Sequence, residues 1–287
     1  MNFPSSDLAA ECAAREENGV RIRHAMAQGC EITYVRIDSE EAAARIGKPR
    51  GRYVTVECGD LCAPEAQVLE RVARVISVEM REMARRMCEK PLGEGFFVLV
   101  IGLGNAEMTP DALGPKTVKL LPVTRHLPRF SRGELVEREA CDLAAISTGV
   151  VAQTGIETAE ILRGIVTQVH PDLVVAVDAL AARSPERLAS TVQLCDSGIQ
   201  PGAGVGNARL AITRESVGVP VMAVGVPTVI NGAMLLRDVL EGERSEKEAA
   251  QEKERLRSLF VCPREIDLLV GQAAALVARA LERAFYH

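Results

Sequence analysis

The chain has 287 residues, of which 47% are hydrophobic and 25% charged, a balance that supports a sizeable core and excludes collagen-like, coiled-coil and disordered chains. Only three Tyr, six Phe and no Trp are present, so platforms for stacking single-stranded nucleic acid have little material to be built from. The formal charge of −5 argues against a phosphate-tracking surface, and nucleic acid is not expected as a direct ligand.

The start, MNFPSSDLAAECAAREE, lacks the basic and apolar regions of a signal peptide, and no run of about 18 apolar residues follows, so a cytoplasmic chain with no membrane partner is expected. Glu31–Asp38 and Arg52–Glu57 alternate like half-buried strands around the turn-like Gly47–Gly51 and predict a hairpin. From Glu65 to Glu89, Val68, Val72, Val75, Ile76, Met80, Met83 and Met87 recur every three or four residues, the pattern of a long amphipathic helix whose Met stripe is core filler. Phe96–Ile101, Leu173–Val177 and Val219–Val226 are continuous apolar runs, as expected of parallel strands covered on both faces. Thr154 and Glu157 have capping-box spacing for a helix to about Val169, and Ser184-Pro185 predicts another helix start. A helix is expected near Asn231, a solvated charge run at Glu241–Arg257, and a closing helix over Arg264–Phe285. With no repeat and no linker, residues 1–287 read as a single α/β domain: a mostly parallel sheet flanked by helices, with the N-terminal hairpin and long helix appended.

Ligands of open α/β sheets sit beyond the carboxyl ends of the strands. After the first interior strand, Gly102-Leu103-Gly104 is followed by Glu107 where a dinucleotide fingerprint needs its third Gly, and no Gly-Lys-Ser/Thr follows, so neither NAD nor a P-loop nucleotide is expected. The loop does carry Asp111, and the second interior strand runs into Asp178. Two carboxylates brought together share a proton, so that one activates water while the other polarises a carbonyl. The bland alternative is that Asp111 complements a helix dipole and Asp178 satisfies loop amides. Asp196–Asn207 is a Gly-rich turn or substrate-facing loop. Of His24, His126, His170 and His287, only His126 lies on plausible loop ground. The eight Cys read as reduced small hydrophobes, and Cys58 with Cys62 lacks the second pair that a zinc site needs.

Several stretches, in order along the chain, resemble the spore germination proteases: Thr109-Pro110-Asp111-Ala112-Leu113-Gly114-Pro115, Val123–Leu127, Thr154–Thr158, Val177-Asp178-Ala179-Leu180-Ala181-Ala182-Arg183, Asp196–Asn207 and Gly225–Val229. The resemblance runs from about Asp7 to the end. It implies an endopeptidase of an atypical aspartic type that starts degradation of small acid-soluble spore proteins, with Asp111 and Asp178 as catalytic residues, no cofactor, and a homotetramer in the spore cytoplasm. It also implies a fold like the hydrogenase-maturating endopeptidases, within the phosphorylase/hydrolase-like group. Those enzymes hold a metal with acidic residues and a later His, whereas the corresponding Gly225–Thr228 contains no His. A metal-dependent peptidase of that type is the alternative reading. Family members are zymogens with a longer propeptide before a segment like Asp7-Leu8-Ala9. Here only Met1–Ser6 stand before it, so either a very short pro-segment or a different control of activation is expected, and no processing site is assigned.

Overall fold

A computed structural model describes residues 6–13, 15–59, 65–127, 140–206, 209–232, 256 and 259–286. The strands are β1 (Val20–Ala27), β2 (Cys30–Ile37), β3 (Gly51–Glu57), β4 (Phe97–Leu103), β5 (Asp142–Gly149), β6 (Leu173–Ala182), β7 (Thr191–Cys195), β8 (Val221–Asn231) and β9 (Phe260–Val261). The α-helices are α1 (Ala9–Cys12), α2 (Glu40–Ile46), α3 (Ala66–Met87), α4 (Leu113–Leu120), α5 (Val151–Thr154), α6 (Thr158–Val169), α7 (Arg214–Val217) and α8 (Ile266–Phe285). All the strands join one sheet in the order β1-β2-β3-β7-β8-β6-β4-β5, with β9 paired to β8.

The apolar runs form the centre of this sheet. β4, β6 and β8 are parallel neighbours and β5 extends them in parallel, while every pairing from β7 back to β1 is antiparallel. The expectation of a mostly parallel sheet therefore holds for one half, and the sheet as a whole is mixed. Helices α3, α4 and α8 cover one face above Val56, Val98, Val100, Val175 and Val224. On the other face α6 and α7 cover Leu99, Ile101 and Val174, and α1 and α2 cover Val35, Ile37 and Tyr53. α8 closes the core as its spacing predicts, burying Leu269, Val270, Ala273, Val277 and Leu281. Each fully buried Leu or Val there contributes about 1.5–3 kcal/mol.

The N-terminal hairpin and long helix are continuous with the α/β unit. β2 and β3 pair as expected, but β3 also pairs with β7, and α3 packs into the main core with Met80 and Met83 buried. Their connection is not a bare turn. Ser39 Oγ accepts from the Ala42 amide at 3.2 Å to start α2, and Gly47 at φ 73° ends it.

Two predicted helix starts are corrected. Val151–Thr154 forms a helical turn of its own, stopped by Gly155 at φ 71°, so the start of α6 moves to Glu157, whose amide donates to Glu160 Oε2 at 3.1 Å. After Ser184 there is a single 3-10 turn, Pro185–Arg187, because the chain must enter β7 at Thr191. Asn231 is the last residue of β8, and beyond Gly232 the helix expected there lies outside the described residues. The charge run 241–257, apart from Leu256, and residues 1–5 of the pro-segment also lie outside the described residues.

Candidate active site

The parallel strands end at different heights, and the site lies on the step between them. β4 pairs with β6 only as far as Gly102↔Val177, while β6 continues beside β8 through Asp178↔Gly225 to Ala182↔Ile230. Asp178 is thus not at the carboxyl end of its own strand. It is the first residue of β6 beyond the end of the β4 ladder, and it is 6% exposed.

Asp111 reaches the same place by a different route. The chain leaves β4 through Gly104, at φ 103°, and turns through Thr109–Asp111 into α4. A Cβ on Gly104 would overlap the Asp111 carbonyl, one on Gly102 would overlap Gly114, and one on Gly114 would overlap Leu103 and the Val177 carbonyl. These glycines let α4 lie directly on the ends of β4 and β6. Hydrogen bonds then fix the turn: Asn105 N–H donates to Asp111 Oδ2 at 2.7 Å, Thr228 Oγ1 to the Pro110 carbonyl at 2.7 Å, and Thr109 Oγ1 to Asp267 Oδ1 at 2.8 Å. Asn105 is held in turn by Gln153 Nε2, which donates to its Oδ1 at 2.9 Å.

Asp111 and Asp178 both line a cavity of about 960 Å³, in the range that buries a ligand segment. Burial holds the Asp111 carboxyl above the ordinary carboxylate range, with the Asn105 amide opposing it. Asp178 is raised much further, by burial first, then by the charge of Asp111, then by that of Asp7. Its counterweight is the Ala179 amide, which donates to Asp178 Oδ1 at 2.9 Å. Two carboxyls whose surroundings disfavour double ionisation can divide acid and base roles.

The Gly-rich loop also proves to face the site: Ser197 to Gly204 line the cavity, while Asp196 Oδ1 accepts from Arg52 N–H at 2.7 Å. His126 is not among the lining residues; His24 contacts Thr33 and Glu31, and His170 caps the end of α6. His287 and Cys62 are outside the described residues. Cys12, Cys30, Cys58, Cys88, Cys141, Cys195 and Cys262 are free, and burial pushes the Cys58 and Cys195 thiols up, opposite to the activation of a nucleophile. Among the described residues no group of three or more His, Cys, Asp or Glu is arranged to hold a metal ion. Nor is any described helix long and apolar enough to cross a membrane.

Sequence reasoning missed the wall supplied by the other half of the molecule. Asp7, Lys48, Tyr53 and Gln193 line the cavity from the N-terminal segment, the turn after α2, β3 and β7. Their only signal was the Asp7-Leu8-Ala9 segment, where the resemblance begins.

Comparison with known proteins identifies the family. The family model described as germination protease matches residues 5–242. A germination protease of Caldanaerobacter subterraneus subsp. tengcongensis is 41% identical, with 97% of this chain and 93% of that protein aligned. One from Clostridium acetobutylicum is 35% identical over 98% and 94%, and one from Priestia megaterium is 40% identical over 83% and 64%. Among solved structures, a [NiFe] hydrogenase maturation protease, HycI, from Thermococcus kodakarensis aligns over 66% of this chain and 95% of its own, at 20% identity and a TM-score of 0.36. With matches of this length and identity, the chain belongs to the germination protease family and is a peptidase.

Proposed function

We propose that the protein is an endopeptidase that begins degradation of small acid-soluble spore proteins, in the cytoplasm of a germinating spore, and that Asp111 and Asp178 hydrolyse the peptide bond as an aspartic pair. The observation that carries the reading is the convergence of these two carboxyls, from separate strands, in one cavity with both raised by burial. The family's name supports the peptidase and its germination role; the spore-protein substrate and a homotetrameric assembly follow the resemblance of the motifs.

Asp178, the more deeply buried, holds the shared proton, and Asp111, steadied by the Asn105 amide, is the ionised partner. The pair titrates as a unit. Asp111 takes a proton from water as the water oxygen bonds to the scissile carbonyl carbon, and Asp178 gives its proton to the carbonyl oxygen. In the second step the C–N bond breaks, the leaving nitrogen takes the proton from Asp111, and Asp178 recovers one from the hydroxyl that becomes the new carboxyl group.

Cleavage of a small acid-soluble spore protein by wild type, Asp111→Asn and Asp178→Asn, with and without chelator, tests this. The expected result is activity that survives the chelator and is lost in each variant. Wild-type rates in either variant would overturn the pair.

A further inference from the structure

A third carboxylate enters the cavity from outside the two motifs that carry the pair. Residues 6–12 lie against the far end of β6 and are fastened there by their own side chains. Asp7 N–H donates to the Ala181 carbonyl at 2.8 Å, and Ala181 N–H donates back to Asp7 Oδ2 at 2.9 Å. Glu11 accepts from the Arg183 and Ser184 amides at 2.7 and 2.9 Å. Gln193 bridges both sides of the segment, donating to the Asp7 carbonyl at 3.0 Å and accepting from Ala9 N–H at 2.7 Å. Between them Leu8 is wholly buried against Leu180, Ala182 and Ile230.

This fastening fixes where the Asp7 charge sits. Its Oδ1 is 3.6 Å from Lys48 Nζ, and the Lys48 side chain is only 9% exposed. Gly204 passes so close that a Cβ there would overlap the Asp7 carboxylate. Lys48, from the turn after α2, pairs with Asp7; the charges of Asp7 and Asp111 both act on Asp178 of β6; Asp7, Lys48, Glu11 and Arg183 act together on Cys12 of the same segment; and Cys195 and Arg209 line the same cavity. A carboxylate held in a low-dielectric cavity disfavours a second ionised carboxyl in the same cavity.

We propose that Asp7 is a positioning residue for the aspartate pair: its carboxylate, pinned between the Ala181 amide and Lys48, keeps the proton on Asp178. It touches neither the scissile bond nor the water. The inference rests on the aspartic-pair reading and adds to it a part played by the N-terminal segment in setting the pH range of activity. Burial of Asp178 and repulsion from Asp111 and Asp7 act in the same direction, with Asp7 the smallest of the three.

Asp7→Asn is the discriminating variant, because an amide oxygen can still accept from Ala181 N–H while the charge is gone. With a peptide substrate, the alkaline limb of its kcat/KM profile is expected to move to lower pH, with a lower thermal midpoint because the buried Lys48 ammonium loses its partner. Carboxyl carbon NMR of Asp178 is expected to give a lower titration midpoint in Asp7→Asn, a readout independent of turnover. Asp7→Ala, which also removes the acceptor, shows the same displaced limb together with a still lower thermal midpoint. An unmoved limb and an unmoved Asp178 titration in folded Asp7→Asn would overturn this role while leaving the pair intact. If Asp111→Asn and Asp178→Asn instead retain wild-type activity, it is the pair itself that fails.

Discussion

In the parallel half of the sheet β4 is buried at every position and β6 at nearly every position, whereas β1, at the antiparallel end, buries only Val20 and leaves its other residues half-buried or exposed. The polar groups differ in the same way. In the antiparallel half Tyr53 Oη donates to the Pro49 carbonyl at 2.7 Å and Gln193 is bonded at both ends, although the buried Thr55 Oγ1 in β3 has no hydrogen-bond partner. In the parallel half Asp178 is almost fully enclosed, and the one hydrogen bond that lowers its pKa comes from the next amide along the chain. Satisfied polar groups add about 0.5–1.5 kcal/mol each and fix shape, while a poorly compensated buried carboxyl is reactive and costly. In the proposed mechanism the parallel half therefore carries the chemistry, and the antiparallel half lines part of the same cavity.

The sharpest way to break this contrast is at the pair. Asp111→Asn and Asp178→Asn should each lower kcat by about 10²–10⁴-fold, measured on a spore-protein substrate, with folding preserved. Gly114→Ala comes next. Its methyl would meet only backbone of β4 and β6, which no rotamer change can relieve, so a loss of about 1–3 kcal/mol in urea unfolding is expected together with displaced Asp111 and lowered kcat.

Stability against pH sharpens the comparison further. Asp178 has a folded pKa above its unfolded value, so the native state binds the extra proton. Its contribution to stability is full below about pH 4, the unfolded value, and is lost as pH rises toward the folded one. Asp178→Asn should consequently be more stable than wild type at neutral pH and lose that advantage in acid, as thermal melts at both pH values would register. Equal pH dependence in both proteins would mean that the carboxyl is not strained by burial. The smallest effect is expected in the wall: Tyr53→Phe should cost about 0.5–1.5 kcal/mol and leave kcat within about twofold, read by unfolding and by peptide turnover.

Much of the parallel half was legible because its signals are local. Uninterrupted Val-rich runs identify strands covered on both faces, the 3.6-residue spacing in Glu65–Glu89 and Arg264–Phe285 identifies the flanking helices, and a carboxylate directly after such a run points to the functional edge. The antiparallel half was less legible. Nothing near β3 announces that it will pair with β7, about 140 residues later, or that Gly47-Lys48 will turn an ammonium toward the cavity. The helix starts at Thr154 and Ser184 were misread because tertiary constraints moved them, the first by a separate helical turn and the second by the short path into β7.

By itself the sequence determined the class of fold and the motifs in which the two proposed aspartates stand, since each depends on residue types close together along the chain. Only the tertiary structure decided that the β4–β6 ladder stops one residue short of Asp178, that three backbone-tight glycines bring Asp111 onto that step, and that Asp7 reaches the same cavity from the other end of the molecule. The reason is physical. A carboxyl's reactivity is set by what surrounds it in space, by the water it loses and the charges it faces, and those neighbours come from strands distant in sequence.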